Sequence, residues 1–205
     1  MNIPVLRLNK GDAPFCKDPA SSYTLPARFY HDAAIHELEK DAIFARNWWY
    51  AGHKSQLAEP GSYMTTRIQD QSVFVGRSET GELKAFFNVC QHRGHELLQG
   101  AGRTNIIVCP YHAWSYDFDG NLRAARNSEN MSGFNKCDFS LKPVRVEELC
   151  GLIFVNLDTD AVPLKEQAGG LEGEIRKFAP NVDDVVLAQR DEYDVAANWK
   201  VLIDN

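Results

Sequence analysis

The sequence predicts a mainly β protein with α+β flanks: an antiparallel β-sandwich presenting two loops, preceded by a helix and followed by the start of a further α+β domain. Three observations predict it. Between about residues 45 and 158, short β-branched and aromatic runs alternate with turn residues. Helical spacing of apolar residues is confined to the stretches before and after that segment. Two short cysteine–histidine motifs stand where strand-like runs end.

The elements follow in order. The first thirty or so residues are rich in Pro, Ser, Lys and Asp and read as an extended arm. From Asp32, a reasonable N-cap, Ile35, Leu38, Ala42 and Ala45 recur at helical spacing and predict a helix over about 32–46. Trp48, Trp49 and Tyr50 lead into a strand and read as core packing. Tyr63–Ile68, Ser72–Arg77 and Leu83–Val89 predict three strands, separated by turns at 69–71 and 78–82. The third delivers the chain into Cys90. Asn105–Val108 does the same for Cys109, and Trp114–Phe118 leads away to a turn at 119–121. Runs at 144–146 and 152–157 complete the β segment. Beyond it, Leu164, Ala168, Leu171, Ile175 and Phe178 share one helical face, which Gly169, Gly170 and Gly173 weaken. Val185–Arg190 reads as a strand, and Asn198–Asn205 opens a helix whose apolar face, including Trp199 and Leu202, has little to pack against. The domain organisation expected is 1–44 as arm and helix, 45–158 as the β domain and 159–205 as the beginning of an incomplete further domain.

Candidate chemistry sits in Cys90-Gln91-His92 and, after sixteen residues, Cys109-Pro110-Tyr111-His112. Each arm offers one thiolate and one imidazole from a tight loop. Two cysteines on one iron and two histidines on the other is the ligand set of a Rieske 2Fe–2S cluster, so Cys90, His92, Cys109 and His112 are the expected cofactor-binding and metal residues. A structural zinc site also accepts two cysteines and two histidines, but zinc modules usually pair like with like within each arm.

The segments Asn88–His95 and Cys109–Tyr116 resemble the two cluster loops of the Rieske family almost residue for residue, which implies a Rieske-type antiparallel sandwich with two cluster-binding loops. The positions where respiratory Rieske proteins carry a bracing disulfide are His95 and Tyr111 here. Their hydroxyl just after the second histidine pair is replaced by Ala113-Trp114. Both differences imply a potential near the lower end of the Rieske range of roughly −150 to +300 mV. Leu25–Tyr30 through Trp48–His53, and Asn198–Asn205, resemble oxygenase α subunits. Gly94–Leu98 and Asp119–Asn127 are similar to the quaternary-amine subgroup acting on carnitine, choline and glycine betaine, with aromatic-ring-hydroxylating dioxygenases close behind and a stand-alone electron carrier as the other class.

That resemblance implies electrons from an NAD(P)H-dependent reductase or ferredoxin, relayed through the cluster to a mononuclear non-haem Fe(II). Two histidines and a carboxylate downstream of residue 205 would hold that iron, so no catalytic residue is expected in this chain. His31, His36, His53 and His95 form no plausible alternative triad. It also implies a homo-oligomer, trimer-like, in the parent protein, and hydroxylation or demethylation of a small organic substrate.

Bulk properties agree with a globular relay. A hydrophobic content of 44% with 24% charged residues allows a packed core. A net charge of −6 with no basic run argues against a nucleic-acid surface. No apolar stretch approaches the ~20 residues of a membrane span, and the N-terminus lacks a secretory core, so the chain reads as cytoplasmic. Five cysteines leave Cys16, Cys137 and Cys150 without obvious pairing, which fits a reducing compartment.

Overall fold

A computed structural model describes residues 18, 20–128 and 131–204. Most of the expected arm, and Cys16 with it, lie outside them. The chain divides into two units, Ala45–Gln189 and the paired chain ends, Met1–Phe44 with Arg190–Asn205.

In the larger unit, β1 (Trp49–His53) is followed by β2 (Ser62–Ile68), β3 (Gln71–Arg77) and β4 (Leu83–Phe87). Short strands β5 (Ala101–Arg103), β6 (Ile107–Val108), β7 (Ser115–Tyr116) and β8 (Leu122–Ala124) come next, then β9 (Pro143–Leu149) and β10 (Leu152–Asn156). Every pairing is antiparallel. One sheet runs β1-β10-β9-β4-β3-β2-β5 and a second runs β6-β7-β8. β5 and β8 were not expected: three exposed or alternating residues each carry too little apolar pattern to announce a strand. The β9–β10 hairpin turns on Cys150 and Gly151, both at positive φ (53° and 79°), the conformation that a two-residue turn matched to strand twist demands.

The sheets bury each other's aromatic faces. Phe74 and Phe86 of the large sheet share one core with Ile107, Tyr116, Phe118 and Leu122 of the small one and its turn, together with Cys90 and Cys109. Phe118 lies so close to Gly76 in β3 that a Cβ there would come within 2.4 Å of the ring. That close approach explains a glycine in the middle of a central strand. β3 is buried on both faces, so its run of Val73, Phe74 and Val75 is continuous rather than alternating.

The expected helix over 164–178 is two, Leu164–Ala168 and Leu171–Phe178; the chain breaks at Gly169, whose φ is +56°. No strand forms over 185–190. Val185 and Val186 are exposed, and Leu187 ties back through its N–H to Ser55 Oγ (3.1 Å) instead of joining a ladder. β-branched residues alone do not make a strand without a neighbour to pair with.

In the smaller unit the single helix expected over 32–46 is also interrupted. Arg28–His31 and Ala33–Glu39 are separate α-helices, and Lys40–Phe44 is a π-helical turn. Asp32 caps the second of them, its carboxylate accepting from Ala34 N–H at 2.9 Å. The widened turn shifts the face by part of a residue step, so Phe44 is buried rather than Ala42 or Ala45. The last helix, Trp199–Ile203, is capped by Asn198. Its apolar face is better used than expected: Trp199 meets Phe44 edge-on at 5.4 Å and donates to Glu39 (2.9 Å), while Leu202 stays exposed. Lys200 and Glu39 form a buried ion pair at 2.6 Å. No helix of the described residues is long and apolar enough to cross a membrane.

Candidate metal centre

Both cysteine–histidine loops are built on the same backbone frame. In the first, Cys90 N–H donates to His95 O (2.8 Å) and Gly94 N–H to Cys90 O (3.0 Å). In the second, Cys109 N–H donates to Trp114 O (2.8 Å) and Ala113 N–H to Cys109 O (3.0 Å). The fifth residue of each loop is left-handed, Gly94 at φ 72° and Ala113 at φ 58°. Glycine adopts this freely; alanine does so against a steric cost. Cysteine thus opens each loop, and histidine follows at the third position in one and the fourth in the other.

This frame sorts the donors by type. Cys90 and Cys109 are both 2% exposed and lie beside each other at the floor. His92 and His112 stand at the rim with ring centroids 4.8 Å apart. His92 is exposed and stacks on the buried Trp114 at 4.7 Å and 11°, and Trp114 is wedged by Phe134 and Phe139. Tyr111 leans on His112 at 3.8 Å, with Arg93 and His95 around it. Among the described residues, no three His, Cys, Asp or Glu side chains converge on one point that would hold a single metal ion.

Electrostatics mark the floor as unfinished. Burial pushes the Cys90 thiol above its ordinary value, only partly offset by hydrogen bonds from Tyr116 and the His92 backbone. Burial lowers His112, helped by neighbouring His92, Arg93 and His95. Its Nδ1 is buried without a hydrogen-bond partner, although the residue as a whole is half-covered. An apolar floor holding two thiols, below an orphaned imidazole nitrogen, suits a cationic metal group: metal charge stabilises both thiolates, and a neutral imidazole nitrogen is a ligand. The residues fit an iron–sulfur group.

Two contributors escape a motif reading. Tyr116, fully buried, accepts from Gln91 N–H (3.1 Å), which leaves its own hydrogen for Cys90 Sγ at 3.4 Å. Burial and the Cys90 contact raise its phenol well above the ordinary value, so it remains a donor. A hydroxyl therefore does reach a cysteine sulfur, although position 114 lacks one. Asn88, also fully buried, sits under the first loop. His95 bonds locally through Nδ1 to Glu96 O (2.6 Å). Cys137 and Cys150 are free thiols, the first exposed and the second buried.

Comparison with known proteins agrees with this geometry. Residues 47–138 match the Rieske [2Fe-2S] domain. The carnitine monooxygenase oxygenase subunit of Escherichia coli K12 is 43% identical over 192 residues, covering 93% of this chain and 51% of that protein. The glycine betaine monooxygenase oxygenase subunit of Pseudomonas aeruginosa is 31% identical over 203 residues, covering 98% and 47%. Among solved structures, the quaternary ammonium Rieske monooxygenase CntA with L-carnitine superposes with a TM-score of 0.88 at 40% identity, over 93% of this chain and 54% of that one. Naphthalene 1,2-dioxygenase gives 0.67 at 35% identity, over 71% and 34%. The chain spans about half the length of the curated relatives it matches. It carries a Rieske [2Fe-2S] domain and belongs to the Rieske oxygenase family, with a resemblance to the quaternary-amine subgroup.

Proposed function

We propose that this chain is the electron-relay portion of a Rieske oxygenase whose whole protein hydroxylates or demethylates a small quaternary amine. In this reading Cys90 and Cys109 hold one iron of a 2Fe–2S cluster and His92 and His112 hold the other. The observation that carries it is the sorting of donors into a buried thiol pair and a rim imidazole pair by two loops of identical backbone frame.

When bound, such a cluster accepts and passes on one electron at a time. The protein's part is positional. Cys90 and Cys109 keep the inner end dry, and Tyr116 donates to the Cys90 sulfur. Exposed His92 offers the shortest way out to a partner. Trp114, stacked on that imidazole, fixes its plane and shields its inner face from water. Electrons would come from an NAD(P)H-dependent reductase or ferredoxin, and the oxygen-activating iron would belong to the remainder of the whole protein. The substrate class follows the subgroup resemblance, and the setting proposed is a cytoplasmic homo-oligomer, trimer-like, with neither nucleic acid nor membrane as partner.

Expression with iron and sulfide tests the reading. The chain alone should give a Rieske-type visible spectrum and about two irons per chain, with no substrate-dependent O₂ uptake. Product formation by the isolated chain, or a colourless iron-free protein, would contradict it.

A further inference from the structure

The two loops are closed by different means. The second is continuous with a ladder on both sides, Val108 pairing with Ser115 and Ile107 with Tyr116. The first is not: β4 ends at Phe87, and a single bridge, Val89 with Glu96, joins its two arms. Side chains close the rest. The Asn88 carboxamide accepts from Leu97 N–H (3.2 Å) and Leu98 N–H (3.0 Å), and donates to Leu98 O (2.7 Å) and Ser72 Oγ (3.2 Å). Ser72 Oγ donates in turn to Glu96 Oε1 at 2.5 Å, which also meets Arg67 Nη2 at 3.3 Å. Asn88 N–H is itself fixed to Ser72 O at 2.9 Å.

An amide used this way stands in for the missing strand neighbour, offering one carbonyl and one N–H₂ to a returning backbone that has no ladder. Every hydrogen-bonding position of the buried carboxamide is occupied, so its rotation is fixed, and so is the distance between the two arms of the loop. We infer that Asn88, acting with Ser72 and Glu96, is the positioning residue that sets the width of the first loop and hence the reach of Cys90 and His92 towards the cluster. Asparagine is the residue this needs. Aspartate has no donor for Leu98 O, and glutamine adds a methylene where the carboxamide is held at both ends. Glu96 acts as an acceptor for Ser72 rather than through its charge, since its cationic partner Arg67 is more than half exposed.

The inference rests on the four-ligand reading, and its test separates the two. Cluster-loaded wild type and variants are compared by the rate of iron release to excess chelator and by the EPR g values of the reduced cluster. Asn88→Asp, which loses the two donated bonds, and Asn88→Ala, which loses all four, should release iron at least on the order of tenfold faster, the scale of two lost hydrogen bonds, with displaced g values. Ser72→Ala and Glu96→Ala should move the same way less far, and Glu96→Gln, which keeps the acceptor, should restore wild-type behaviour. Val155→Ala, a cavity in β10 away from the loops, should lower thermal stability while leaving both readouts unchanged.

Wild-type release and g values in Asn88→Ala, or the same changes in Val155→Ala, would overturn the inference. If Asn88→Ala does not fold, Ser72→Ala decides by the same two readouts. A wild-type chain that binds no iron and sulfide, or a Cys90→Ser chain that loads normally, overturns the ligand reading and this inference with it. A loaded wild type with unresponsive variants at 88 and 72 overturns the positioning alone.

Discussion

The first and second cluster loops reach one backbone frame from opposite starting points. The second grows from a hairpin: β6 and β7 bring Cys109 and Trp114 into register, and the ladder closes the turn. The first grows from the end of β4, and Asn88, Ser72 and Glu96 replace the absent ladder with side-chain hydrogen bonds. The glycine is distributed the other way round. The loop without a ladder has Gly94 at its left-handed position, with nothing within 4 Å of where a Cβ would sit. The laddered loop puts Ala113 there. Backbone strain is thus placed where regular hydrogen bonding is best able to hold it.

The largest perturbation should erase the difference. Cys109→Ser in the second loop or His92→Ala in the first should each reduce iron content to near zero, because each iron depends on one residue from either arm. Retained iron in either variant, measured against sulfide, would mean that one loop suffices. A smaller effect follows from the bond that joins the loops. Tyr116 of the second loop's outgoing strand touches Cys90 and Gln91 of the first. Tyr116→Phe removes a donor to the thiolate, and redox titration should show the potential fall by some tens of mV, the scale of a few tenths to about 1 kcal/mol in a one-electron couple.

Smaller again is the exchange of residues at the shared left-handed position. Ala113→Gly should stabilise by roughly 0.5–1 kcal/mol and Gly94→Ala destabilise by a similar amount, read from chemical denaturation of loaded protein. Equal signs would show that the frames are not equivalent. The least effect is expected from Arg67→Gln. Its ion pair with Glu96 is solvent-exposed on the arginine side, so its loss should cost under about 1 kcal/mol, with iron release unchanged.

How much of this was legible in the sequence differed with the kind of order involved. The hairpins β2–β3–β4 and β9–β10 could be read because their apolar runs are long and their turn residues explicit. β5 and β8 were too short to leave a pattern, and the run at 185–190 had the pattern but pairs with no strand. The helix expected over 32–46 missed the π-helical turn because apolar spacing assumes a constant period. At the site, the motif offered four candidate donors by type and spacing. It gave no hint that Tyr116 turns back onto Cys90, since strand alternation shows that a tyrosine points inward but not what it meets. Asn88 was visible as a polar residue near the end of a strand-like run and the first of the loop segment, but its side-chain partners Leu97, Leu98 and Ser72 lie nine to sixteen residues away. Motifs report what touches the metal, whereas the support beneath a loop depends on tertiary neighbours.

In the proposed cluster, two loops of one frame hold a single dinuclear group, sulfur on one iron and nitrogen on the other. Pulsed EPR of the reduced, iron- and sulfide-loaded chain tests it most directly, with uniformly ¹⁵N-labelled protein for assignment. Strong couplings from two histidine nitrogens are expected, both lost with the cluster signal in His92→Ala or His112→Ala. A reduced cluster without strongly coupled histidine nitrogen, or a single bound zinc in place of iron and sulfide, would contradict it.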